Sequence, residues 1–194
     1  LRHDRGHPVR DGARRPRLDS RGLAADVINS VGDFIRYFEG VRRRTRSVIE
    51  QVSPELLDWR PRPGEFTCSD IVRHLAGAER FFVTKVLEDR WTADLDPGLP
   101  LDHGATRAHL DEVHRAEMGR LADLPDERLQ APLRDLDGGQ VKTWRLLMAM
   151  VEHEVHHRSQ LDAYLAEAGV EPPQLYGYRM EDVVARATFP EGRR

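Results

Sequence analysis

The sequence predicts an all-α protein, a four-helix bundle, and three observations carry that expectation. Four long stretches repeat apolar residues at intervals of three and four. Breaks containing proline and glycine separate them. Almost no alternating apolar/polar pattern of the strand type lies between them. Helices that each carry one apolar stripe must bury it against one another, and four around a shared core meet that demand.

The first 22 residues stand apart. They are basic, broken by Gly and Pro, and without apolar period, so the sequence predicts a disordered tail over residues 1–22 and a bundle domain over residues 23–194. The first helix is expected from Ala24 to Val52, with Val27, Val31, Phe34, Ile35, Phe38, Val41 and Ile49 on its apolar side. Ser53-Pro54-Glu55 reads as a short helical start. Pro61 and Pro63 then forbid a continuing helix, because proline lacks a donor and clashes with the preceding turn. The second helix is expected to start near Ser69 as N-cap, with Asp70 in its first turn, and to run to about Glu88. Its apolar side carries Ile71, Leu75, Ala78, Phe81, Phe82 and Val86. Trp91 to Gly104 reads as a loop. A third, more polar helix is expected over Thr106–Leu124, with Leu110, Val113, Met118 and Leu121 turned inward. Asp137-Gly138-Gly139 is a turn signal able to join two short strands. The fourth helix should run from about Lys142 to Ala168, where Gly169 can end it. Pro172-Pro173 opens an extended exit, and Glu181–Ala187 reads as a short final helix within a C-terminal extension.

Composition narrows the function classes. Lys+Arg number 30 and Asp+Glu 33, so there is no global electrostatic case for nucleic acid. No apolar run approaches the ~18 residues of a membrane span, and no signal-peptide core is evident. Cys68 is the only cysteine, so no intrachain disulfide can form, and a reducing cytoplasm is the simplest location.

The chemistry concentrates in the fourth helix. His153 and His157 are four residues apart, which places both imidazoles one turn apart on one face. Leu146, Met150, Leu161 and Tyr164 fall on that same face, so the two histidines point into the bundle. Buried imidazoles need partners, and one divalent ion would serve both. An open metal site needs a third ligand. His74 is the best candidate, since it lies beside the apolar stripe of the second helix. His3 and His7 fall in the tail, His103 in a loop, and His109 and His114 on the polar third helix, while His156 should sit near the rim. The bland alternative is that the pair are ordinary core histidines. His153-Glu154-Val155-His156-His157 also spells H-E-x-x-H, in which Glu would be the base of a zinc protease. The longer zincin form fails at Gln160 and Ala163, and no edge strand is present to bind a peptide. Glu154 is retained as a candidate catalytic base, against the plainer reading of a solvated helix carboxylate. Glu154 and Gln160 are the candidates to orient an imidazole.

Three stretches resemble the DinB-like family of four-helix bundles. They are Trp59-Arg-Pro-Arg-Pro-Gly-Glu-Phe-Thr-Cys-Ser-Asp-Ile-Val-Arg-His74-Leu, His153-Glu-Val-His-His157-Arg-Ser-Gln-Leu and Pro172-Pro-Gln-Leu-Tyr-Gly177. The second resembles the family signature H-x-x-x-H-R-x-Q, with Ser159 where many relatives carry Gly. The resemblance covers roughly residues 24–187 and implies metal ligands at His74, His153 and His157. It also implies a homodimer. Some relatives are transferases or isomerases dependent on low-molecular-weight thiols, and others are taken to be hydrolases.

The expected function is therefore that of a metal-dependent enzyme. One divalent transition metal (Zn, Ni, Fe or Mn) would activate a thiol or water for attack on a small-molecule electrophile. The resemblance favours a thiol-dependent S-transferase, with hydrolase next. The alternative is a non-enzymatic dimeric bundle that binds a metal or small ligand, in which Glu79 or His156 would close the coordination shell.

Overall fold

A computed structural model describes residues 28–92 and 102–188. The expected tail over residues 1–22 and the centre of the expected Trp91–Gly104 loop lie outside the described residues. Four long helices are present: α1 (Val31–Ile49), α2 (Cys68–Glu88), α3 (His103–Leu121) and α4 (Thr143–Glu167). A hairpin of β1 (Pro132–Arg134) and β2 (Gln140–Lys142) precedes α4, and a short α5 (Met180–Thr188) ends the described chain. The main packing sets α2 against α3 and α4, and α1 against α4, with α3 closing the ring on α1. Helices α1 and α2, consecutive in sequence, thus lie diagonally. The Pro-containing link between them crosses one end of the bundle.

Several expected boundaries move, each for a local reason. The α1 start is at Val31, because Ser30 adopts an extended conformation and its hydroxyl accepts from the Asp33 amide. Its last turn stops at Ile49, although Val52 beyond it is still buried. The α2 cap is Thr67, not Ser69. Thr67 accepts from the Asp70 amide while the Asp70 carboxylate accepts from the Thr67 amide, a reciprocal pair that outcompetes a single serine cap. Helix α3 begins at His103, because Asp102 caps it by accepting from Ala105, so His103 is helical rather than in a loop. The strands anticipated around Asp137-Gly138-Gly139 pair antiparallel with Leu133 opposite Val141, and Gly138 takes the positive φ of 82° that the turn requires. Gly169 ends α4 at φ 80°, with Val170 N–H bonded to Leu165 O and Gly169 N–H to Ala166 O.

The core is divided. One apolar cluster holds Phe34, Phe38, Val83, Leu121 and Leu147; a second holds Val48, Ile71, Leu75, Leu110 and Leu161. Between them each long helix contributes a buried polar residue: Arg42, Glu79, His114 and Glu154, each no more than 2% exposed. Arg42 Nη2 donates to Glu79 Oε2 at 2.6 Å and to Glu154 Oε2 at 3.0 Å. Glu79 Oε1 lies 2.8 Å from His114 Nδ1. His114 Nε2 is 3.1 Å from Glu39 Oε1 at the bundle surface, an ion-pair contact rather than an aligned hydrogen bond. The reading of Glu154 as a solvated carboxylate is thereby corrected. So is the assignment of His114 to a merely polar face: its ring packs 5.6 Å from Phe38 in the interior.

Candidate metal centre

The three histidines singled out from the sequence meet between α2 and α4. One ligand nitrogen from each of His74, His153 and His157 lies within 4.8 Å of the others. The α4 pair converges because positions four apart share a face, and the rings of His153 and His157 stand 4.5 Å apart. His74 reaches them from α2, its ring 4.8 Å from His153 and 4.6 Å from His157. His74 Nε2 and His153 Nε2 are 3.0 Å apart. Two imidazole nitrogens sharing one ion at 2.0–2.1 Å would stand about 3.0–3.4 Å apart, depending on the coordination angle. The His74 and His153 nitrogens therefore stand at the separation one shared ion imposes, with a His157 nitrogen within 4.8 Å of both.

The electrostatics agree with that fit. Burial, with the neighbouring imidazoles His157, His74 and His156 adding to it, pushes His153 down to about 4. Burial first and His157 second lower His74. Burial also lowers His157, outweighing the hydrogen bond its Nδ1 makes to the Gln160 amide oxygen, which acts the other way. Each shift favours the neutral ring, the form that binds metal.

The surroundings fix one ligand closely. His157 Nδ1 lies 2.9 Å from Gln160 Oε1, so the expected orienting contact is present. Gln160 Nε2 donates to Tyr164 Oη at 3.0 Å, and Tyr164 donates to Glu65 Oε2 at 3.3 Å. Glu65 is followed by Phe66, which is 43% exposed with its ring 5.4 Å from His74 and 6.4 Å from His157. Phe82 stands 6.1 Å from His153 on another side. Glu65 and Phe66 have no signal in the sequence, since the non-helical link that follows Pro61 and Pro63 carries no period to place them. His156 is exposed, as expected at the rim, with its ring 4.8 Å from His157. Glu79, weighed as a fourth ligand, has both oxygens engaged by Arg42 and His114. Cys68 is buried, and burial raises its thiol to about 11, which makes it a poor nucleophile.

Comparison with known proteins places this geometry in a family. The DinB superfamily profile matches residues 37–161. The Bacillus subtilis protein YjoA, whose function is uncharacterised, is 22% identical over 156 residues, covering 75% of this chain and 96% of YjoA. Its crystal structure superimposes with a TM-score of 0.61, covering 74% of this chain and 96% of that one. A DinB-like protein from Bacillus cereus ATCC 10987 is 19% identical with a TM-score of 0.66, covering 76% and 99%. YfiT from Bacillus subtilis, described as a probable metal-dependent hydrolase with an unusual four-helix bundle topology, is 20% identical with a TM-score of 0.57, covering 73% and 89%. At these identities the structural likeness establishes the fold, while the profile, spanning most of the bundle, establishes descent. The chain belongs to the DinB superfamily.

Proposed function

We propose that this chain is a metal-dependent enzyme that directs a thiol or water nucleophile onto a small electrophile at His74, His153 and His157. The observation that carries the reading is the convergence of three imidazoles at one point between two helices. When bound, a divalent cation supplies Lewis acidity and stabilises a thiolate or hydroxide at neutral pH. The three rings bring no charge of their own, which leaves the site cationic and favours an anionic nucleophile. Phe66 and Phe82 set apolar rings beside the histidines. Glu154 remains the candidate base. Arg42 holds its Oε2, and its buried Oε1 has no hydrogen-bond partner. The thiol rests on the family resemblance, and the description of YfiT supports water. A cytoplasmic location and a homodimer belong to the same proposal. No helix among the described residues is long and apolar enough to cross a membrane.

A panel of small thiols against a chloro-dinitroarene or an epoxide, with and without added metal, tests the reading, with His157→Ala as control. Metal-dependent turnover above the control supports the transferase. Metal-dependent ester hydrolysis in its place supports the hydrolase. Neither activity, with any of Zn, Ni, Fe or Mn, would overturn the enzymatic reading in favour of a non-catalytic binding bundle. In Glu154→Gln, loss of turnover at unchanged metal content would assign the base, and full turnover would remove Glu154 from the mechanism.

A further inference from the structure

We infer that Glu65, in the loop between α1 and α2, is a positioning residue that sets the tautomer of His157 through Tyr164 and Gln160. The inference deepens the metal reading, because it says which nitrogen of His157 is free to bind an ion. An ionised carboxylate accepts and never donates, so the contact of 3.3 Å between Tyr164 Oη and Glu65 Oε2 must be a donation by the phenol. Burial, reinforced by the Glu65 charge, raises the Tyr164 pKa, so the phenol keeps its proton. With its one proton committed to Glu65, Tyr164 Oη can only accept from Gln160 at 3.0 Å, and the Gln160 atom facing it must be the amide nitrogen. The other end of that amide, its oxygen, then faces His157 Nδ1 at 2.9 Å and can only accept. Nδ1 therefore carries the imidazole proton, and Nε2 keeps its lone pair.

Every link has a fixed direction because the first member cannot donate. Without Glu65 the tyrosine proton could turn towards Gln160, the amide could flip, and either tautomer of His157 would be satisfied. The edge of Trp59, 5.6 Å from the Tyr164 ring, helps to hold the phenol in place. The same loop carries Phe66 beside His74 and His157, so one anchored turn orders both a ligand and a wall of the site.

The test is a long-range proton–nitrogen correlation spectrum of the imidazoles in uniformly labelled, metal-free full-length chain at neutral pH. His157 is assigned by the peak lost in His157→Asn. The wild type should show His157 protonated at Nδ1 and unprotonated at Nε2. Glu65→Gln and Tyr164→Phe should each give a mixture of tautomers. Their zinc dissociation constants, from chelator competition, should rise about tenfold, as for other partners of metal-bound histidines. Thermal melts of both variants report whether the fold is kept. A wild-type His157 protonated at Nε2 would overturn the inference. So would variants that melt lower yet keep the wild-type tautomer, since that is the signature of a structural role alone. A wild type with the expected tautomer and no zinc affinity would sink the metal reading while supporting the ordering by Glu65, so the two failures are distinguishable.

Discussion

Replacing Arg42 with Met should destabilise the protein far more than the loss of one hydrogen-bonding residue suggests. Arg42 is fully buried and donates to two carboxylates that are themselves 1% and 2% exposed, Glu79 and Glu154. Met fills much of the arginine stem's volume, so cavity formation contributes little. The main cost is the buried negative charge left behind. Breaking one partner of a buried pair costs about 3–5 kcal/mol. Glu79 keeps His114 at 2.8 Å, whereas Glu154 Oε1 has no hydrogen-bond partner to fall back on. The cost therefore falls mainly on Glu154, and the low end, about 3 kcal/mol, is expected. For a chain of this size that lowers Tm by roughly 6–12 °C. Urea denaturation at pH 7 should show the midpoint fall without a change in m. Adding Glu79→Gln and Glu154→Gln to Arg42→Met removes the stranded charges and should recover about half of the loss or more. A single variant within about 1 kcal/mol of wild type, or a triple variant no better than the single one, would refute the assignment of Arg42 as the cation that neutralises this layer.

Other perturbations follow from the same structure. Gly169→Ala forces an alanine to φ 80° at the end of α4, and should cost about 1–2 kcal/mol by urea denaturation, with the helix otherwise intact. Metal-free protein should lose stability as pH falls from about 6.5 towards 4. His74, His153 and His157 are lowered in the folded chain, His153 to about 4, so the unfolded chain binds more protons in that window. Their stabilising effect is present above the unfolded pKa and lost on acidification. Thermal melts in that window that do not fall with pH would contradict it. Cys68 should resist a thiol-specific chromogenic reagent in the folded state and react on unfolding, and Cys68→Ala should keep any activity, because the thiol is buried and held near 11. Rapid native-state labelling would contradict that placement.

The bundle and the histidine cluster were legible in the sequence because both rest on helical period. Leu146, Met150, Leu161 and Tyr164 mark the inner face of α4, all four are buried, and His153 and His157 share that face. His74 followed from the stripe of α2 by the same geometry. The central polar layer was not legible. Arg42 and His114 look in sequence like polar positions facing solvent, Glu79 suggests at most a fourth metal ligand, and only tertiary packing brings the three together. A faint signal exists in α1, where Arg42 and Thr45 interrupt the apolar series between Val41 and Val48 at positions that are all buried. Such interruptions are common on solvated faces, so the signal had no weight until its partners were known. Glu65 and Phe66 were hidden for a different reason. A link shaped by Pro61, Pro63 and a positive-φ Gly64 has no repeating pattern, and where its side chains land depends on the helices it joins.

Whether three imidazoles from α2 and α4 hold one ion is decided by elemental analysis of untagged full-length protein. After equilibration with zinc and gel filtration, about one ion per chain is expected, the stoichiometry of a single three-ligand site, with loss of that ion in His153→Ala and the helical content unchanged. Zinc below about 0.2 per chain in the wild type, or wild-type binding retained in His153→Ala, would contradict a site that needs all three ligands.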